Sequence, residues 1–497
     1  MKLLFSLQKT DIHTLFVISQ SVKQSANPAL MRRWLLESSV NELQKNTVKY
    51  IPGGIKELLV IALPMMASNA CDTIMTFTDR LFLSKLGASQ MNASLGGGMM
   101  SFLMTTFFLG LIGYGTALIA QYYGSGQKRN CSVVVTQAAI IAFIAYPLIL
   151  LFAPLARASF RASGIAPEQL GPQTVFFNIL VYGAIITLLR GVFSCFFSGI
   201  GKTRIVMIAS VVSMIVNVGA NYVLVFGRFG FPALGIRGSA YGTIFGGFCG
   251  LLILMVAYFF GKKQQEYCIR ESFIFKSDVM WKLFKFGYPA GLEFFLTLAA
   301  FTAQISLFQS QGQLVATAAT IAYNWDMVAY VPLIGIEIAI TSLVGRYMGA
   351  RKPDTAHAST LSGIKVGFIY SVVMLVLFLA FPVALSNVFR PSVHDKVFAD
   401  ALPLTLFMVR LMAVYVLVES MIVSYCGALR GAGDTFWAMF ISVSLHWLMV
   451  VVLYVLFNVM HVSAQAAWVF IIIWVMLLSF AFYLRYRSGK WKEIQLV

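Results

Sequence analysis

The chain has 497 residues, 59% of them hydrophobic and only 11% charged, with a formal net charge of +18. A soluble chain carries roughly 25% charged residues, so the composition excludes a soluble fold and indicates a polytopic membrane protein. The excess of Lys and Arg belongs to membrane-flanking loops rather than to a nucleic-acid surface. The six cysteines are scattered without a CxxC pair, which excludes a disulfide or metal framework as the organising principle.

Residues 1–50 are mixed and fairly polar, without a secretory signal pattern. They read as a cytoplasmic tail with a short amphipathic helix around 31–36. Twelve apolar segments follow, at about 55–84, 91–122, 131–155, 172–198, 203–227, 238–260, 280–308, 317–348, 357–381, 398–428, 434–458 and 465–486. Each meets the ~20-residue requirement of a membrane-spanning helix. The expected fold is all-α and polytopic, with twelve transmembrane helices.

The first span, PMMASNACDTIMTFTDRLFLSKLG (64–87), sets a proline near its start and a carboxylate, Asp79, well inside it. Pro64 removes a helix hydrogen bond and predicts a kink. An acid at membrane depth is costly and marks a functional position. The pattern returns as PAGLEFFLTLAAFTAQISLFQSQG (289–312), with Pro64 opposite Pro289, Gly87 opposite Gly312 and Asp79 opposite Gln304 at one constant offset of 225. Further along, GTALIAQYYGSG (115–126) matches ITSLVGRYMGAR (340–351), and SGIGKT (198–203) matches RGAGDT (430–435). Two copies of one six-helix bundle are therefore predicted, an N-lobe over 51–260 and a C-lobe over 280–486.

The loops divide by charge. Lys128, Arg129, Lys202, Arg204, Lys262, Lys263, Arg351, Lys352, Arg485 and Lys490 fall on one side, against only Lys85, Arg157, Arg161, Arg228, Arg237, Arg390 and Lys396 on the other. The richer side is expected to be cytoplasmic, with both termini inside, 261–279 a cytoplasmic linker and 487–497 a cytoplasmic tail.

Two polar constellations stand out. Asn217 and Asn221, four apart on the fifth span, share one helix face. With Thr243 near the start of the sixth span, they lie at the depth of Asp79. One carboxylate, two amides and a hydroxyl could coordinate Na+ or hold a carboxyl group that takes up a proton; the bland alternative is ordinary hydrogen bonding between helices. In the second half, Glu293, Glu337 and Glu419 lie at similar depth, with Thr297 four after Glu293 and Tyr415 four before Glu419. Three such carboxyls cannot all stay ionised in a dry site, so some are protonated or paired. Asp326, with Tyr323 and Trp325 in YNWDMVAY, is a candidate cavity wall for organic cations, against an interfacial aromatic cluster. Arg190 and Arg410 are intramembrane cations read as partners of acids, and His446 as a packing residue.

The ordered motifs P-x14-D-R-L-F-L-S-K-L-G, AQYYGSGQ, LVGRYMGAR, SGIGKT, the Asn217–Asn221 helix with FPALGIRGSAYGT, and CGALRGAGDT resemble the multidrug and toxic compound extrusion (MATE) family over about 55–486. The resemblance implies that Asp79 binds a coupling cation in the N-lobe and that Pro64 lets the first helix bend when it does. It also implies that Tyr415 and Glu419 occupy a C-lobe cation site. Asn221 stands where other members have a second aspartate, and Thr297 where some have a glutamate. Glu293 and Glu337 are the substitutes at hand.

The expected function is a cation-coupled (Na+ or H+) secondary antiporter of the cell membrane. It would export amphipathic, often cationic, organic compounds by alternating access of two lobes. The alternative is a flippase for a lipid-linked saccharide, which needs several cavity-lining cations. The bilayer is the expected environment, a monomer the expected state, and neither a cofactor nor nucleic acid an expected partner. No HExxH, nucleophile elbow or P-loop spacing suggests an enzyme or an ATPase.

Overall fold

The computed structural model describes residues 51–162, 167–261, 265–390 and 396–497, so the expected tail over 1–50 lies outside the described residues. The described residues form α-helices and two short 3₁₀ turns. In chain order the helices are α1 (Ile55–Ser84), α2 (Ala88–Gly113), α3 (Gly115–Gly124), α4 (Lys128–Ala162), α5 (Pro167–Tyr182), α6 (Ala184–Gly199), α7 (Thr203–Phe226) and α8 (Ile236–Phe259). There follow α9 (Ser277–Gln309), α10 (Gln313–Gly349), α11 (Pro353–Ala380), the short α12 (Pro382–Asn387), α13 (Lys396–Ala432), α14 (Thr435–Asn458) and α15 (Ala464–Arg487). Eleven are long and apolar enough to cross a membrane when α2 and α3 are counted together, and the bent pair α5–α6 makes a twelfth span. The chain is an integral membrane protein of two six-helix repeats, α1–α8 and α9–α15.

Interruptions of the helices are satisfied internally, as hydrocarbon requires. The fourth span bends by 44° at Gly183, where the Tyr146 hydroxyl donates to the Tyr182 carbonyl at 3.0 Å. The second span breaks at Tyr114, and the Cys195 thiol reaches the Ile112 carbonyl at 3.4 Å. α1 runs unbroken through Pro64. A proline at 64 leaves the Val60 carbonyl without its helical donor, and the Thr203 hydroxyl of α7 takes that place at 3.5 Å. The helix is continuous at the proline, and the hydrogen bond the proline removes is replaced from α7. Pro289 occupies the matching position inside α9.

The two lobes meet closely in the half of the bundle that holds the basic loops. A Cβ added at Gly110 would stand 2.7 Å from Gly291 Cα, and one at Gly335 2.6 Å from Met66 N. One at Gly349 would stand 2.0 Å from the Gln121 carbonyl, and one at Gly124 1.8 Å from the Arg346 carbonyl. Polar bonds add to this seam. Glu57 of α1 pairs with Arg346 of α10 at 3.3 Å and accepts from the Tyr347 hydroxyl at 2.7 Å. The Arg346 guanidinium lies over the Tyr123 ring at 5.2 Å. Gln121 donates to the Gly431 carbonyl at 2.9 Å, and Ser342 to the Ser198 carbonyl at 2.7 Å.

The segment between the lobes is pinned to the first one. Lys128 pairs with Glu266 at 2.8 Å, Thr136 donates to the Ser272 carbonyl at 2.9 Å, and Gln137 donates to the Ile274 carbonyl at 2.8 Å. Tyr267 is buried with its ring 5.3 Å from that of Phe196. The C-terminal residues are docked too. Trp491 is 1% exposed, stacks on Tyr486 at 5.1 Å and donates to its carbonyl at 2.9 Å.

Candidate functional site

In the first lobe, α1 and α7 lay a polar column against each other. On α1 it comprises Ser68, Asp72, Met75 and Asp79, spaced by four, three and four residues, which is one helical face. On α7 it comprises Ser210, Ser213, Asn217 and Asn221, spaced by three, four and four. The rungs are Ser68 to Ser210 at 2.6 Å and Ser213 to the Met75 sulfur at 3.8 Å, with Asn221 bonded to Asp79 at the end remote from the basic loops.

Asp79 is 8% exposed. The Asn221 amide nitrogen donates to its Oδ1, and the Thr243 hydroxyl donates to its Oδ2 at 2.9 Å. Asn217 donates to the Thr243 hydroxyl at 3.4 Å. The four residues singled out in the sequence therefore form one connected group. The carbonyl oxygens of Asn217 and Asn221 are buried without a hydrogen-bond partner. Buried acceptors are normally satisfied, so two orphaned carbonyls around a carboxylate leave oxygen ligands available to a hard cation. The same carboxylate, with a hydroxyl on one oxygen, is also able to hold a proton.

Four glycines on α8 admit this group. Gly238, Gly242, Gly246 and Gly250 recur every fourth residue and face α7. A Cβ at Gly242 would lie 2.0 Å from Asn221 Oδ1, and one at Gly246 2.8 Å from Asn217 Cβ. The signal was present in FPALGIRGSAYGTIFGGFCG as a glycine repeat of period four, and a search for polar residues alone passes over it.

The acids of the second lobe divide into two groups, not the single constellation expected from equal depth. Glu293 and Glu337 both bind Arg430 of α13, Glu293 at 3.0 Å. The Cys426 thiol reaches Glu293 at 3.8 Å. A Cβ at Gly427 would meet the Glu337 carbonyl at 2.9 Å, which puts Glu337 level with Gly427, eight residues or ~12 Å along α13 from Glu419. Glu419 is 8% exposed and accepts from the Tyr415 hydroxyl at 3.3 Å. Its Oε2 and the Oδ1 of buried Asp326 have no hydrogen-bond partner. Thr297 is 3.4 Å from the Ser442 hydroxyl and does not join either acid group. His446 bonds the Ser442 carbonyl at 2.7 Å as a packing residue.

Asp326, Tyr323 and Trp325 do not form one wall. Tyr323 is 6% exposed inside an aromatic cluster with Phe301, Phe308 and Trp468, and accepts from Gln304 at 2.8 Å. Trp325 turns toward α12 and donates to the Leu385 carbonyl at 3.2 Å. At ~100° per residue Trp325 stands on the far side of the helix from Tyr323, whereas Tyr323 and Asp326, three apart, share a buried face. Arg410 lines a crevice at the α11–α12 junction with Phe381 and Asn387. Arg190 pairs with Asp72 at 2.8 Å, an acid that the sequence reading did not single out although it lies on the Asp79 face.

The MatE family model matches residues 64–223 and 289–456, one match in each lobe. Probable multidrug resistance protein NorM of Thermotoga maritima is 24% identical over 446 residues, covering 89% of this chain and 94% of the relative. Multidrug resistance protein MdtK of Yersinia enterocolitica is 26% identical over 400 residues, covering 79% and 85%. Among solved structures, an outward-facing conformation of a multidrug resistance MATE family transporter of the MOP superfamily superposes with a TM-score of 0.80 at 20% identity, covering 88% of this chain and 96% of that one. The eukaryotic MATE transporter AtDTX14 gives 0.78 at 16% identity, covering 88% and 96%.

Proposed function

The chain belongs to the MatE family of membrane transporters, and from that premise we propose that it is a cation-coupled secondary antiporter exporting amphipathic, often cationic, organic compounds. The observation that carries the reading is the Asp79 group, a buried carboxylate beside the orphaned carbonyls of Asn217 and Asn221. Na+ would draw those oxygens and the Thr243 hydroxyl around it. A proton would sit on Asp79 itself. Either neutralises a charge at membrane depth, and relief of that cost couples the ion to the position of α1. The seam along Glu57, Arg346 and Gln121 joins the lobes on the side of the basic loops; on this reading that side is cytoplasmic, and release of the seam would open the cleft inward for substrate. Glu419 with Tyr415 and Asp326 supplies a second candidate cation site in the other lobe.

The names of the relatives, NorM and MdtK, are those of multidrug resistance proteins, which supports organic compounds as the cargo. A lipid-saccharide flippase would need unpaired cations along the cleft, and Arg190 is already engaged by Asp72. The test is ethidium transport by purified protein in liposomes, with a Na+ gradient or a pH gradient imposed separately. Wild type should respond to one gradient, and Asp79→Asn should lose that response. Glu419→Gln then reports whether the second lobe takes part. Transport that ignores both gradients, or an Asp79→Asn protein as active as wild type, would remove the reading.

A further inference from the structure

The Asp72–Arg190 ion pair lies within the first lobe, outside the Asp79 group. Asp72 lies one rung of the polar column away from the Asp79 group, seven residues or ~10 Å along the same face of α1. Its Oδ1 is bonded to Arg190 Nη2 at 2.8 Å. The same nitrogen reaches the Ser210 hydroxyl at 2.8 Å, and Ser210 is itself buried and held by Ser68 at 2.6 Å. The guanidinium is thus anchored from α7 independently of the acid.

The pair is directed inward, among α1, α6 and α7 of one lobe, yet the Asp72 side chain is 44% exposed and that of Arg190 21%. A charge at this depth that is neither buried nor paired on both oxygens requires open, water-accessible space in front of it. The contact is one-pronged, unlike the two-pronged Arg485–Asp434 pair at 2.7 and 2.9 Å. One turn away on the same face, Asn69 Nδ2 has no hydrogen-bond partner. Met75, also one turn away, offers a polarizable apolar surface beside the carboxylate.

We infer that Asp72 is a binding site for the cationic head of an organic substrate, with Arg190 as its resident counterion. This rests on the antiporter reading and names a substrate-recognition group within it. An arriving ammonium or phosphonium takes the place of Arg190 at Asp72 Oδ1, and Arg190 stays on Ser210. Asp72 thus keeps a cationic partner throughout, and the guanidinium it releases stays on the Ser210 hydroxyl and turns to the water-accessible space. The site also stands two turns from Asp79 on one rigid helix. A cation at Asp72 and a coupling ion at Asp79 repel each other, which is the mutual disfavour that an exchanger needs.

The experiment is equilibrium binding of tetraphenylphosphonium to the purified transporter, in parallel with gradient-driven ethidium transport in liposomes. Asp72→Asn should weaken tetraphenylphosphonium binding by about tenfold or more, the scale of losing the Coulomb attraction of one carboxylate for a cation in partly wet surroundings. Arg190→Gln should tighten it by about tenfold, because a tethered competitor is gone; a misfolded protein does not produce such a gain. Asp79→Asn, which removes the negative charge as a bound ion would, should also weaken phosphonium binding, but it should abolish the dependence of that binding on Na+ or pH that wild type shows. The inference is overturned if Asp72→Asn and Arg190→Gln weaken binding equally, as a purely structural pair would, or if both bind as wild type does. Its failure differs from failure of the antiporter reading: in the first case wild type still moves ethidium under a gradient, and in the second it does not.

Discussion

Substituting Gly242 by alanine should damage the ion site without replacing any of its ligands. The added Cβ would stand 2.0 Å from Asn221 Oδ1, 3.0 Å from its Cγ and 3.2 Å from its backbone nitrogen. The backbone distance shows that α7 and α8 are already in contact, so the helices cannot simply slide. The amide oxygen must withdraw by about 1.4 Å to reach an ordinary contact distance, which takes its nitrogen off Asp79 and turns its carbonyl out of the group. Overpacking of this kind costs about 1–3 kcal/mol, and a hydrogen bond to a charged group is worth about 1.5–3 kcal/mol. Since about 1.4 kcal/mol is tenfold, the half-saturating concentration of the coupling ion should rise ~10- to 100-fold. The assay is ethidium transport in liposomes as a function of Na+ or pH, with thermal unfolding measured alongside. Gly250→Ala is the matched control, because its nearest neighbours would be at 3.2 Å and lie away from the asparagines. The reasoning fails if Gly242→Ala has the ion dependence of wild type, or if Gly250→Ala shifts it as much.

Removing Arg430 should be severe, because Glu293 and Glu337, with side chains 6% and 12% exposed, would share a dry site without a cation. Arg430→Met is expected to cost about 3–5 kcal/mol, seen as a lowered unfolding midpoint in detergent, and Glu293→Gln added to it should restore part of the loss. Thr203→Val should leave the Val60 carbonyl unsatisfied beside Pro64, at about 1 kcal/mol. A circular-dichroism melt unchanged from wild type would show that water already serves that carbonyl. Arg346→Ala should loosen the seam between the lobes and favour the inward-open state. The rate at which a thiol reagent labels Met66→Cys should then rise, and an unchanged rate would show that the apolar contacts alone keep the seam shut.

The parts of the site that were legible in the sequence were those written in helical spacing. Asn217 and Asn221 announce a common face by being four apart, and Asp79 stands out as an acid in a run long enough to span. The same rule placed Tyr415 beside Glu419. What the sequence could not supply were pairings across long separations, because no local rule links Asp72 to Arg190 or Glu293 to Arg430. Equal depth grouped Glu293, Glu337 and Glu419 together, and depth says nothing about azimuth or about how far an arginine reaches. Tyr323 and Trp325 were misjudged for a related reason, since adjacency in sequence separates side chains around a helix rather than gathering them. The donor lost at Pro64 was legible, but that the Thr203 hydroxyl of another helix replaces it was not.

The pinned segment between the lobes has a mechanical consequence. The last backbone group of the segment fastened to the first lobe is the Ile274 carbonyl, and α9 begins at Ser277. Three residues span at most ~11 Å even when fully drawn out, so the lobes cannot part at this corner. Lys276 shortens the tether further by reaching Asn130 at 3.3 Å. The connection acts as the spine of a book. Whatever swing the covers make must be greatest along the edge remote from it and nearly nothing beside it. A second lobe that draws Arg346 and Gly431 away from Glu57 and Gln121 must therefore turn about Ile274–Ser277, and any opening of the seam is widest on the side opposite this spine.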